Sequence, residues 1–207
     1  MKMSLKGVRL LSAALLFAAA AAAPSAQVGK SQGVADINTM SETNVAALPG
    51  LNATIAKALV AKRPFASITE LNAFLLAQGL TQEQANAVYP KAFVHINLNT
   101  ATVEEIMLVP NAGRRMSREF PEYRPWRNYA QFDKEIGKYV GAEATAKLAQ
   151  YTFIPMNANT ASDADLLTVP GATQAWVDAL KKGRPYKAAA DLEKVAGKAQ
   201  ARFFVLQ

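Results

Sequence analysis

Three landmarks recur along this chain in constant phase, and they constrain its fold more than its composition does. Asn38-Thr39, Asn99-Thr100 and Asn159-Thr160 stand 61 and 60 residues apart. Leu48-Pro49-Gly50, Val109-Pro110-Asn111 and Val169-Pro170-Gly171 keep the same spacings, and so do Arg63-Pro64-Phe65, Arg124-Pro125-Trp126 and Arg184-Pro185-Tyr186. A fixed period marks a chain built from copies of one supersecondary unit. Here it divides the sequence into residues 36–94, 95–154 and 155–207. The third copy is truncated, with 22 residues after Pro185 against 30 from Pro64 to Val94. Its last helix is expected to be shortened or missing, as in the terminal members of repeat arrays.

Each copy reads as helical. Ser41, Thr102 and Ser162 stand where an N-cap belongs, and Thr102 with Glu105 forms a full capping box. The pairs Val45 and Leu48, Ile106 and Val109, and Leu166 and Val169 place apolar side chains at i, i+3 on one face. The Pro-Gly or Pro-Asn step then turns the chain. A second helix follows, with Ile55 and Leu59, Met116 and Phe120, and Trp176 and Leu180 at i, i+4. It ends ahead of Pro64, Pro125 and Pro185, because the residue before proline disfavours the α region. The aromatics after those prolines, Phe65, Trp126 and Tyr186, are expected in the core. Ser67-x-x-Glu70 opens a third helix, and Gly79-Leu80-Thr81 and Val140-Gly141-Ala142 read as weaker turns into a fourth.

Residues 1–26 stand outside the period. Lys2, Lys6 and Arg9 precede the uncharged run Leu10 to Ala23 and then Pro24-Ser25-Ala26. This order predicts a cleavable signal peptide, cut between Ala23 and Ala26, and therefore a periplasmic or secreted protein with no membrane span after cleavage. A membrane anchor competes, but the run falls short of the ~20 residues a span needs. Export also corrects the charge. The formal +7 includes three of the 23 Lys and Arg in this segment and none of the 16 Asp and Glu, which leaves +4. That charge is spread as +1, +1 and +2 over residues 27–94, 95–154 and 155–207.

The arrangement of helix, tight Pro-Gly turn and helix is the helix-hairpin-helix motif. The run Ile96-Asn97-Leu98-Asn99-Thr100-Ala101-Thr102-Val103-Glu104-Glu105 before Val109-Pro110, closed by Tyr123-Arg124-Pro125-Trp126, resembles the ComEA family of exported competence DNA receptors. The resemblance spans the mature chain in three copies and is strongest in the second. It implies an all-α fold of three tandem helix-hairpin-helix (SAM-like) units. It also implies a double-stranded DNA partner, held by the phosphate backbone through hairpin amides at a helix start. Such binding is independent of sequence and sensitive to salt.

Every copy departs from the two-glycine hairpin of that family. The glycine positions hold Gly50 and Asn52, Asn111 and Gly113, and Gly171 and Thr173. Asn tolerates the left-handed region, whereas Thr173 is β-branched and unsuited to it. Basic side chains gather after the second hairpin alone, as Arg114, Arg115 and Arg118; the first copy has Ala53, Thr54 and Lys57 there, and the third Gln174, Ala175 and Asp178. The candidate nucleic-acid-binding residues are therefore Asn111, Ala112, Gly113, Arg114, Arg115 and Arg118, with Gly50 and Gly171 at the matching turns. A second reading of the arginines is open, because Arg115 with Glu119 and Arg118 with Glu122 are i, i+4 pairs that could neutralise one another on a solvated face.

Composition excludes much catalytic chemistry. With no Cys there is no thiolate and no cysteine-built metal site. The one His, His95, follows Phe93-Val94 and reads as a partly buried or solvated linker residue rather than a ligand or base. Glu104-Glu105 opens a helix, where carboxylates suit the dipole. The Asn-x-Asn-Thr segments read as turn and capping chemistry. Lys181, Lys182 and Arg184 suit a helix C-terminus. No catalytic residue, metal, cofactor or small-molecule substrate is expected. Two functions remain: a DNA-binding protein, or a structural or protein-interaction scaffold in the cell envelope, of the kind used in type II secretion or pilus-like machinery. The three units are expected either as one packed body or as beads, and apolar linkers such as Phe93 to Ile96 favour packing.

Overall fold

A computed structural model of the chain describes residues 34–206, so the expected signal segment lies outside the described residues. The first repeat runs β1 (Ala35–Asp36), α1 (Glu42–Ala46), α2 (Ala53–Lys62), α3 (Ile68–Ala77), α4 (Gln82–Val88) and β2 (Ala92–Phe93). The second runs β3 (Ile96–Asn97), α5 (Val103–Leu108), α6 (Gly113–Glu122), α7 (Tyr129–Ala149) and β4 (Thr152–Phe153). The third runs β5 (Met156–Asn157), α8 (Asp163–Leu166), α9 (Gln174–Lys182), α10 (Ala189–Ala196), α11 (Lys198–Ala201) and β6 (Phe204–Val205). The fold is mostly helical. Three parallel pairs, Ala35 with Ala92, Ile96 with Thr152 and Met156 with Phe204, tie the two ends of each repeat together. Strands of two residues are too short for any period-2 pattern to announce them.

The recurring residues make the same bonds in all three copies. The Oδ1 of Asp36, Asn97 and Asn157 accepts from the backbone N–H two residues on, at 2.9, 2.9 and 2.8 Å, which forms the turn. The next asparagine then reaches 27 residues ahead. Asn99 Nδ2 donates to the Trp126 carbonyl at 3.0 Å, and its Oδ1 accepts from Trp126 N–H at 2.6 Å. Asn38 clamps Phe65 at 3.0 and 2.8 Å, and Asn159 clamps Tyr186 at 3.1 and 2.7 Å, in the same way. The clamped aromatics are buried, as expected, each removing apolar surface worth about 2 kcal/mol. Trp126 Nε1 and the Tyr186 hydroxyl also donate to the carbonyls of Phe120 and Leu180, at the ends of α6 and α9. The arginine before each proline turns inward. Arg124 Nε donates to Leu98 O and Arg184 Nε to Ala158 O, both at 2.8 Å, and Arg63 Nη1 donates to Met40 O.

Helix starts follow the expected caps. Ser41, Thr102 and Ser162 each accept from the N3 amide, and Thr102 with Glu105 completes its box. Ser67 caps α3, but Glu70 accepts from Ala66 N–H rather than from Ser67 N–H. The chain breaks helical geometry at Gly141, with φ 79°, which divides α7 into two helical stretches where Val140-Gly141-Ala142 was expected to turn. The shortened last helix of the third repeat is α11, four residues long.

The repeats are packed rather than strung. One apolar core runs from Val34 through Phe65, Leu98 and Trp126 to Ile154, so the first two repeats share it. The third repeat has a second core around Leu166, Val177, Leu180 and Phe203, with Phe153 of β4 packed into it. A polar cluster joins the third repeat to the first. The Arg202 guanidinium, following α11, pairs with Asp36 of β1 and donates through Nη1 to the His95 carbonyl at 2.8 Å. His95 Nδ1 lies 3.3 Å from Asp36 Oδ2. His95 is thus neither solvated nor partly buried: only 1% of it is exposed. Reading it as an isolated linker side chain missed Asp36, which lies 59 residues away in sequence.

Candidate nucleic-acid interface

The three Pro turns share one left-handed residue and differ at the next glycine position. Gly50, Asn111 and Gly171 hold φ 73°, 65° and 77°. Two positions on, Asn52 and Thr173 are extended, with φ −136° and −125°, and serve as N-caps: Asn52 Oδ1 accepts from Ile55 N–H at 3.0 Å and Thr173 Oγ1 from Trp176 N–H at 3.2 Å. The expectation of positive-φ strain at Thr173 is therefore corrected, since that position needs an extended N-cap, which threonine fills well.

The second turn is built differently. Gly113 holds φ 61°, so this turn alone among the three is left-handed at both positions. Ala112 takes the N-cap place of α6 with no side-chain hydrogen bond. Backbone bonds run from Ala112 N–H to Val109 O and from Met116 N–H to Ala112 O. Between them lie the amides of Gly113, Arg114 and Arg115, the donors that a helix start leaves without intrahelical partners. A Cβ on Gly113 would meet nothing within 4 Å, so the approach is open. At the third turn a Cβ on Gly171 would stand 3.2 Å from the Thr39 Cβ, and Gln200 Nε2 donates to Pro170 O at 3.1 Å. That turn is engaged by its own chain.

Arg114, Arg115 and Arg118 are all exposed. Among the ion pairs of the described residues, neither Arg115 with Glu119 nor Arg118 with Glu122 appears. The self-neutralised face is therefore not formed. Arg115 instead lies over the Tyr139 ring, 4.5 Å from its centroid. The Tyr139 hydroxyl meets that of Tyr123 at 2.7 Å, and hydrogen bonding to Tyr123 first and Glu119 second pushes its pKa up. Tyr139 comes from α7, so no local spacing in the sequence points to it. A shallow groove of about 450 Å³ runs from Asn111 along α7, lined by Val140, Glu143, Ala144, Lys147 and Leu148.

The other basic candidates take structural parts. Lys181 pairs with Asp163 at 2.6 Å, and Arg184 is spent on backbone carbonyls. Among the described residues no group of three or more His, Asp or Glu is placed to hold a metal ion, and no helix is long and apolar enough to cross a membrane. No protein-family model matches the chain, and no curated protein or solved structure matches it.

Proposed function

We propose that the chain is an exported DNA-binding protein that grips duplex phosphates without reading sequence, through the second of three tandem helix-hairpin-helix units. One observation carries this reading: the turn at Asn111–Gly113 is open, left-handed at both positions, uncapped, and followed by three exposed arginines free of carboxylate partners. Amides at a helix start and the positive end of the helix dipole favour an anion there. Guanidinium groups on the first turn and a half of α6 add charge-assisted donors to the same phosphate strand. Gly50 and Gly171 stand at turns whose following helices are capped by their own side chains, so they contribute little. Low net charge fits one local contact better than a broad basic surface.

The test is duplex binding by the mature protein and by an Arg114→Glu, Arg118→Glu variant, at about 50 and 200 mM salt. Binding by the first that weakens with salt and is lost in the second supports the reading. Equal binding by both, or none by either, sinks it.

A scaffold in the cell envelope is the second reading. It is favoured by the two self-capped turns and by exposed apolar side chains on α5 and at the end of α8, namely Val103, Met107 and Leu167. Periplasmic crosslinking that recovers a protein partner and no nucleic acid would select it.

A further inference from the structure

The position equivalent to Asn97 and Asn157 is Asp36 in the first repeat, and this change of one atom gives that turn a charge. Asp36 still makes the turn bond to Asn38 N–H, which asparagine makes in the other copies. The charge has a separate partner, Arg202, from the far end of the chain. That guanidinium is held on three sides: by Asp36, by the His95 carbonyl, and by the faces of Phe203 and Phe153 at 4.6 and 5.6 Å. Close by, Thr39 of the same first-repeat turn rests against Gly171. One turn therefore carries both the charge that holds the third repeat and the side chain that covers the third repeat's hairpin.

Two features make this cluster a fastening between the two cores. The first two repeats are packed around one core and the third around another, to which the second repeat lends only Phe153. Polar atoms of the cluster are also left over, since His95 Nε2 and Arg202 Nε are buried without a partner. Asp36 is ionised and can only accept, so His95 meets it with an Nδ1–H, and His95 Nε2 on the far side of the ring is left without a partner. A cluster retained with unsatisfied atoms suits the specification of one arrangement, the role best attested for buried polar groups.

We propose that the Asp36–Arg202 pair is a strap that closes the third repeat onto the first and keeps the Pro170–Gly171 hairpin covered by Thr39. Without the strap each core persists, with Phe153 still seated in the second, while the third repeat turns about that anchor and the 154–156 segment and its hairpin is uncovered.

The absence of Cys makes the test direct, because labels can be placed at single introduced cysteines. Spin labels at exposed Thr43 and Ala175 report the separation of α1 and α9 in the mature protein. Wild type should give one narrow distance distribution. Asp36→Asn, which restores the residue of the other two copies, and Arg202→Met, which keeps the stem over the two phenyl rings, should each add a second, longer population with helical circular dichroism unchanged. An unchanged narrow distribution in both variants would overturn the proposal. Loss of helical signal in both would overturn it too, since the pair would then belong to the cores.

Discussion

The Arg115 guanidinium lies 4.5 Å above the ring of Tyr139, a residue 24 positions further on and in another helix. The contact explains why Arg115 does not turn to Glu119, its expected i, i+4 partner. A guanidinium gains from a ring face as well as from charge, and Tyr139 is held beneath it by its bond to the Tyr123 hydroxyl. The three arginines of α6 are consequently unequal. Arg115 is positioned by α7, while Arg114 and Arg118 extend freely from the helix.

This inequality predicts a coupling. Arg115→Ala and Tyr139→Ala should each weaken duplex binding, and the double variant should lose little more than Arg115→Ala alone. Arg118→Ala combined with Tyr139→Ala should be additive. Binding isotherms at one salt concentration for the wild type, the three single variants and the two doubles check this.

The asparagine clamp predicts a stability effect far from any binding site. Asn99→Ala deletes both bonds to the backbone of Trp126 and strands one donor and one acceptor. The expected cost is about 2–3 kcal/mol, read as a lower urea midpoint with unchanged slope. Asn99→Asp keeps the bond from Trp126 N–H but sets a carboxylate oxygen against the Trp126 carbonyl, and should also destabilise.

The caps separate the turns experimentally. Thr173→Ala and Asn52→Ala each remove a side-chain cap and should cost about 1 kcal/mol. Gly113→Ala should cost a similar amount, about 1–2 kcal/mol, because the added Cβ has space and the strain comes from φ alone. Thermal or urea unfolding measures all three, and only Gly113→Ala should also weaken duplex binding.

Acid should destabilise the fold through Asp36. Burial pushes its carboxyl up, but the Arg202 charge and the His95 contact outweigh this and hold it down at about 2, below its ordinary 3.8. A carboxyl with a depressed folded-state pKa stabilises the fold at pH values above its unfolded pKa. That stabilisation, roughly 2 kcal/mol, is lost as pH falls from about 4 through 2. Urea midpoints measured between pH 6 and 2 should fall less steeply in Asp36→Asn than in the wild type.

The repeat itself was open to reading because its landmarks lie in constant phase, and with it came the short helices, the buried Phe65, Trp126 and Tyr186, and the Thr102 box. What stayed hidden has a common cause, partners distant in sequence. Asn99 meets Trp126 27 residues on, Arg115 meets Tyr139, and Asp36 meets Arg202 166 residues away. The second hairpin could be singled out from its arginines. Its open approach and missing cap could not, because Asn52 and Thr173 looked like lost glycines and act as N-caps.

The most direct measurement is a salt titration of duplex binding by residues 27–207. Phosphate contacts at one hairpin predict that log K falls linearly with log salt with a slope of about −2 to −3, and that Arg114→Ala and Arg118→Ala each reduce that slope by about 1. A slope near zero, or one that neither substitution changes, would contradict phosphate binding at the second hairpin.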